Sequence, residues 1–562
     1  MRPVLALLSA ALAVLILAAD ATAATNLTQK AGAIGCVTES PASGQCEDGA
    51  GLVQPSALAI SPDGKNVYSV DESWGSVATL VRDPADGTLR PIPGTTGCLS
   101  ITPSVSSGCT EARGLGGASD VAVSPDGKNV YVAAPEDDAV AVLDRDPEDG
   151  HLTQSSGEDG CVAPAVAGCD DARAIDEPTS VVVSPDGENV YVGSRGLGGG
   201  IAIFERDPET GDLSQDSEPA GCVVNEGGSE CTDGRAEMVG LQTLEISPDG
   251  QFLYALSPTR DAVTVYEVEV DGSLKPLQGP GGCVVGAAAP GCTLAIGLGE
   301  PRALAFSPIG DGEDAYLASE RRDAILIFDR NPATGALTQK PGTAGCVSNT
   351  GQSDPMQAGT LGQCVNGVAM DGIDSIAVLP DGTALYATAG ESDGVVVFER
   401  AADGTILQRP GTAGCITETG FEDADLSFTA GACEDGRALL KTDGVVVSED
   451  SKHVYTSARF GGVASFDVVP PPGPEQPAAA PPPAAPAESA ACLSARARAR
   501  KIGHRLRSLA RENKRRARKA TFVTSEAARD RLNEAADRGR RRARGLRLDL
   551  RRAGRTVKQL CV

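Results

Sequence analysis

One octapeptide limits what this chain can fold into. "SPDGKNVY" begins at Ser61, recurs unchanged at Ser124, and returns as "SPDGENVY" at Ser184. Looser copies are "SPDGQFLY" at Ser247, "SPIGDGEDAY" at Ser307, "LPDGTALY" at Leu379 and "SEDSKHVY" at Ser448. The seven starts lie 60 to 72 residues apart, and Tyr68, Tyr131, Tyr191, Tyr254, Tyr316, Tyr386 and Tyr455 keep one phase. A fixed period of this kind marks one supersecondary unit repeated along the chain.

Each unit reads as four short strands. Strand A is the apolar run before the turn ("VAVSPDG"), and strand B carries the tyrosine ("NVYVA"). Strand C is "AVAVLDRD", "GIAIFERD" or "AILIFDRN", and strand D follows "PEDGHL", "PETGDL" or "PATGAL". β-Branched and aromatic residues in short runs, punctuated by Pro-Asp-Gly and Asp-Gly, are hairpin chemistry. Four-stranded units repeated about an axis form a β-propeller, so the fold class is all-β with seven blades. The last unit has strands A to C and then meets proline at Pro470. Its missing strand D is supplied by "NLTQKAGAIGCV" at Asn26, where Leu27 stands in the place of Leu89, Leu152 and Leu213. The N-terminal strand therefore closes the ring, which removes the open edge of a partial blade.

The flanks have other compositions. Residues 1–23 combine Arg2, an apolar run too short for a preferred membrane span, and the small-residue site Ala21-Thr22-Ala23, the pattern of a cleaved export signal. Residues 24–469 hold the propeller and residues 470–489 are a Pro/Ala-rich spacer reaching about 60 Å if extended. Residues 490–562 carry 24 Lys+Arg against 6 Asp+Glu, or +18, while the remainder has 25 against 70, or −45. In this last segment Leu532, Gly539, Leu546, Ala553 and Leu560 fall seven apart, interleaved with Ala536, Ala543, Leu550 and Val557. That seam predicts a basic α-helical hairpin with coiled-coil packing. Its expected partner is a polyanion such as a cell-surface polymer. With Phe522 its only aromatic residue, specific nucleic-acid binding is not expected.

Sixteen cysteines suit an exported chain. None forms a CxxC pair. The close pairs are Cys36/Cys46, Cys98/Cys109, Cys161/Cys169, Cys222/Cys231, Cys283/Cys292, Cys346/Cys364 and Cys415/Cys433, and Cys492 and Cys561 remain to each other. Strand alternation puts the A–B and C–D turns on one face. The B–C loops and the D–A connections lie on the other, where binding is expected. By the repeat pattern, both cysteines of every close pair fall in a D–A connection.

The stretch "SPDGKNVYVAAPEDDAVAVLDRDPEDGHL" resembles the lactonase-type seven-bladed propellers, which include 6-phosphogluconolactonase and carboxymuconate cyclase. "SPDGKNVYV" is also similar to the YVTN propellers of surface-layer proteins. The resemblance implies the fold over 24–469 and, as one activity, lactone hydrolysis or lactonizing cyclisation, but it carries over no catalytic residue. Only His151, His453 and His504 are present, so His-based triads and metal sites lack material, and no metal or cofactor is expected. On the B–C loops, Arg195, Arg260, Glu320, Arg321, Glu391 and Arg459 are the candidate ligand-binding residues for a small carboxylated or lactone ligand. A second series, Arg113, Arg173, Arg235 and Arg437, follows the second cysteine of four pairs and reads as a stitch to a neighbouring blade.

The reading favours an exported, cell-envelope-associated binding protein. A lactonase-like enzyme and a structural envelope protein are the alternatives. A convergent pocket of mixed Arg and Glu on the axis favours the enzyme, and a flat or plugged mouth favours the binder. The cysteine pattern itself is testable: non-reducing peptide mapping should find each close pair and Cys492–Cys561 bonded with no free thiol, and cross-blade pairs would refute the assignment.

Overall fold

The computed structural model describes residues 26–39, 45–102, 108–164, 168–196, 199–216, 219–225, 230–308, 313–354, 360–420 and 432–469. The expected export signal, Pro/Ala-rich spacer, basic helical hairpin and Cys492–Cys561 pairing fall on residues outside the described ones. The ring has seven sheets, one per repeat. In blade 2, strand A (Asp120–Val123) pairs with B (Asn129–Ala134), and B pairs with C (Ala139–Arg145), all antiparallel.

Strand D is more than the single strand expected. It breaks into Leu152–Gln154, which pairs with one end of C, and Cys161–Ala163, which pairs with the other. A two-residue strand, Asp170–Asp171, then adds in parallel, so each blade has six strands. The break follows from Gly157, whose φ of 102° lies in a region that favours glycine. The chain then makes a 3-10 turn over Glu158–Gly160.

The seven close cysteine pairs are bonded as expected: Cys36–Cys46, Cys98–Cys109, Cys161–Cys169, Cys222–Cys231, Cys283–Cys292, Cys346–Cys364 and Cys415–Cys433. Their placement corrects the repeat pattern, which put both partners in the D–A connection. The first partner of each bond opens the second piece of strand D, because the chain re-enters the sheet after the 3-10 turn. Only the second partners lie in the connection. Cys46, Cys109, Cys169, Cys231, Cys292, Cys364 and Cys433 each stand directly before the two-residue parallel strand at the blade edge. The bonds hold the paired Cα atoms 4.7 to 4.9 Å apart. That matches the spacing of neighbouring strands, so each staple sets the returning chain at ladder distance. Closing loops of this size is worth up to about 3 kcal/mol each in the chain-entropy account.

The core lies between blades. Tyr68, Val70 and Val77 of blade 1 pack on Val121, Val130, Val132 and Leu143 of blade 2, and comparable wedges repeat around the ring. A buried polar stitch pins six of the seven wedges. Six of the phased tyrosines donate their hydroxyl to the C–D turn glycine carbonyl of the next blade at 2.8 or 2.9 Å, as Tyr68 does to Gly150. At five interfaces an arginine from the end of the next strand C donates to that tyrosine. Arg145 Nε meets Tyr68 at 2.8 Å, while its Nη2 meets Asp63 of the blade-1 SPDG turn at 2.8 and 2.9 Å and its Nη1 the Gly127 carbonyl. Arg82, Arg206 and Arg330 repeat the arrangement, and Arg400 meets Tyr316 with Asp314 of strand B in place of the turn aspartate. Val268 and Val468 stand at that position in blades 4 and 7.

Closure runs as the repeat phase predicts. Asn26–Gln29 pairs with strand C of blade 7, Leu27 opposite Val468, and Cys36 and Val37 lie opposite Ala464 and Val463. Arg82 of blade 1 reaches back to Tyr455 and Asp450 of blade 7. Replacing Arg145 by Ala should remove the guanidinium that donates to Asp63, Asn66 and the Tyr68 oxygen and cost about 3 kcal/mol in denaturant unfolding. Arg195→Ala, on an exposed pair with Glu177, should cost under about 1 kcal/mol. Equal costs would remove the stitch from the account.

Candidate axial site

The seven A strands are the innermost ring, each beside the A strands of both neighbouring blades. Hydroxyls sew neighbouring blades together here: from the A strands Ser56 donates to the Ala118 carbonyl, Thr179 to Gln242 and Thr243 to Arg302, and from strand B Thr388 donates to Asp443 and Ser457 to Ser56. Their burial repeats as one buried residue and two half-buried ones, so water reaches the channel they enclose.

Near the stapled face, the second position of strand A reads Ser56, Ser119, Thr179, Gln242, Arg302, Asp374 and Asp443 around the ring. The charged members fall together on blades 5 to 7. Arg302 donates Nε to Glu320 at 2.7 Å and Nη1 to Gln242 at 2.8 Å. Arg459 donates Nε to Asp443 and lies 3.2 Å from Glu72 of blade 1. Between them, burial together with the charges of Asp443 and Glu320 holds the Asp374 carboxyl well above the usual range, and Arg302 and Arg459 only partly oppose this. Asp443 is raised by burial but is drawn back by its contact with Arg459. The mouth thus gathers two guanidinium groups and four carboxyls from blades 1, 5, 6 and 7.

A second acidic pair sits further along the A strands. Asp120 Oδ2 accepts the Ser180 hydroxyl at 3.0 Å and the Val181 N–H at 2.9 Å, and Ser180 Oγ accepts the Leu244 N–H. Burial raises Asp120 to about 6 against these bonds. Glu245 is raised to about 8 by burial and then by the Asp120 charge, with no hydrogen bond to offset it. Both residues are half-buried on the channel-lining strands, and enclosure by neighbouring A strands leaves little bulk screening at their carboxyls.

The loop residues singled out by sequence separate into two groups. Glu320 and Arg459 join the mouth cluster. Arg321 instead pairs with Asp261 and Glu300, Arg195 with Glu177, and Glu391 with Lys441 at 3.0 Å, while Arg260 is exposed on the blade-4 loop. The second arginine series is structural: Arg113 donates to the carbonyls of Ser155 and Gly157, and Arg437 to those of Lys30, Gly32 and Gln45, clamping the next disulfide loop. Sequence reading passed over Arg302, Asp374, Asp443, Asp120 and Glu245. The signal was present, since "PRALAF", "IDSIAV", "TDGVVV", "SDVAV" and "TLEIS" put charge where other copies of strand A carry Ser, Ala or Val.

Seven closed blades with a charged axial mouth define a seven-bladed β-propeller. Residues 26–159 match the family model described as "Lactonase, 7-bladed beta-propeller", in agreement with the lactonase-type resemblance of the repeat. Similar solved structures include a putative 6-phosphogluconolactonase from Bacteroides uniformis (20% identity, 63% of this chain and 83% of that chain covered, TM-score 0.42). Others are a periplasmic gluconolactonase from Pseudomonas aeruginosa (18%, 75% and 97%, 0.40) and hydrazine synthase from Kuenenia stuttgartiensis (16%, 75% and 97%, 0.39).

The buried Glu245 gives a pH test. Its folded value lies above its ordinary 4.5, so the folded state binds the extra proton and stability falls as pH rises from about 4.5 to about 8. Glu245→Gln should therefore melt higher than the native ring at pH 8 and show little difference near pH 4.5. A constant difference across that range would mean that Glu245 does not titrate as a buried group.

Proposed function

We propose that the ring is a lactonase-type hydrolase that opens an uncharged, hydroxyl-rich lactone at the axial mouth. The mixed cluster of Arg302, Glu320, Asp374, Asp443 and Arg459 carries this reading, since a convergent Arg/carboxylate pocket suits catalysis better than flat adhesion. Burial raises both aspartates, and Arg459 in direct contact draws Asp443 back, an asymmetry that suits paired carboxyls dividing acid and base roles. Asp443, whose ionised form is favoured by its contact with Arg459, takes a proton from water as the water oxygen bonds to the lactone carbonyl carbon. Arg302 faces the developing oxyanion. The ring C–O bond then breaks, and protonated Asp374 supplies its proton to the departing alkoxide, giving the open hydroxy acid.

Charge selects the substrate class. The mouth arginines are already matched by carboxylates and the cluster as a whole is acidic, so a phosphorylated or carboxylated lactone meets repulsion. Hydroxyl groups find acceptors in Glu72, Glu320 and Gln242. Seven disulfides support an exported setting. The charge asymmetry of residues 490–562 supports retention on an anionic polymer as a second, binding role.

The purified protein should hydrolyse glucono-1,5-lactone above the spontaneous rate, followed by proton release. Asp443→Asn and Asp374→Asn should each lose on the order of 100-fold in kcat/KM, the scale of a general acid or base. Arg195→Ala and Arg260→Ala, outside the cluster, should retain activity, and 6-phosphogluconolactone should be the poorer substrate. Absence of turnover with both lactones would leave the binding role as the reading to pursue.

A further inference from the structure

The face opposite the mouth has its own electrostatics. Its C–D turns expose Asp83, Asp86, Glu148, Asp207, Glu209 and Asp271, and its A–B turns add Asp381 and Glu449. The lysines in the described turns are Lys65, Lys128 and Lys452. The arginines near this face are consumed by the inter-blade stitch. Three of these acids are lowered by local hydrogen bonds: the Thr88 N–H holds Asp86 below its ordinary value, the Glu209 N–H does so for Asp207, and the Ser273 hydroxyl for Asp271.

The chain leaves the ring on this same face. Strand C of blade 7 starts at Gly462 beside the stapled loops and runs to Val469. At that end the Val468 N–H bonds the carbonyl of Lys452 in the A–B turn. Tyr455 holds the blade-1 turn against blade 7 through the Gly87 carbonyl at 2.8 Å, so Asp83 and Asp86 stand next to the exit. Beyond it come a 20-residue connector, with a reach on the order of 60 Å, and then the +18 segment.

We infer that the basic segment 490–562 docks on the A–B and C–D turn face of its own ring, as an electrostatic latch that leaves the mouth open. Tethering favours this occupant, because a short connector holds the segment near the face at an effective concentration in the millimolar range. An external polyanion must displace the ring to bind, so the latch weakens and salt-tunes polyanion capture. The inference does not depend on the lactonase reading.

The test uses the full chain with a zero-length carbodiimide cross-linker and mass spectrometry. At about 0.01 M salt, where screening extends to about 30 Å, Lys501, Lys514, Lys519 and Lys558 should link to turn carboxylates such as Asp83, Asp86 and Asp207. At about 1 M salt, where it shrinks to about 3 Å, those links should be largely lost. The variant Glu148→Gln/Glu209→Gln/Glu269→Gln/Glu449→Gln should raise the low-salt radius of gyration toward the high-salt value. Links that fall mainly on stapled-face acids such as Glu39 or Glu72, that join differently labelled copies, or that ignore salt would overturn the latch. The salt arm needs no mutation, so a misfolded variant does not shelter the inference.

Discussion

A guanidinium buried between two blades is the contact on which this ring depends. Arg145 simultaneously satisfies the Tyr68 hydroxyl, the Asp63 carboxylate, the Asn66 amide oxygen and the Gly127 carbonyl. Its planar donor fork meets acceptors set at fixed angles, which a lysine ammonium cannot reproduce. The same node recurs at the blade 7/blade 1 junction, where Arg82 binds Tyr455. A ring built of nearest-neighbour wedges has no single central core, so blade angle must be fixed at every interface. A directional polar stitch does this at five of the seven interfaces, where interchangeable Val and Leu contacts would allow slip.

Closure in turn creates the site. Glu72 and Arg459 are separated by nearly the whole ring in sequence, yet they pair because blade 1 abuts blade 7. The A strands then bring Arg302, Asp374 and Asp443 to one sector of the axis. There desolvation and like charge raise the aspartates, whereas carboxylates in the solvated turns are lowered by their own hydrogen bonds. One acidic ring thus carries two kinds of carboxyl: raised, enclosed ones on the axis and exposed ones on the turn face, of which Asp86, Asp207 and Asp271 are lowered. The first suits proton transfer and the second a basic partner.

Much of this architecture was legible in the residues. The tyrosine phase set blade number, the displaced "NLTQ" set closure, and close cysteine spacing set the seven bonds, because each depends on local spacing along the chain. The break in strand D was not foreseen, although Gly157 and its equivalents marked it. Missing that break also misplaced the first cysteine of each bond, which belongs to the sheet, while partners such as Cys46 and Cys433 stay in the connection. Of the candidate loop residues, Glu320 and Arg459 reached the mouth cluster, while Arg195, Arg260, Arg321 and Glu391 stayed outside it.

The sequence by itself determined the repeat unit, its count, the pairing of its ends and the charge imbalance between ring and C-terminal segment. Those follow from periodicity, turn chemistry and composition, which act over a few residues or over the whole chain. Only the tertiary structure decided which charges meet. Asp374 and Asp443 lie a full repeat apart in sequence, and their proximity arises from the small circumference of the innermost ring of strands. Asp120 and Glu245 likewise acquire their raised proton affinities from enclosure by seven blades, since burial and mutual charge are properties of the assembled axis and of no local segment.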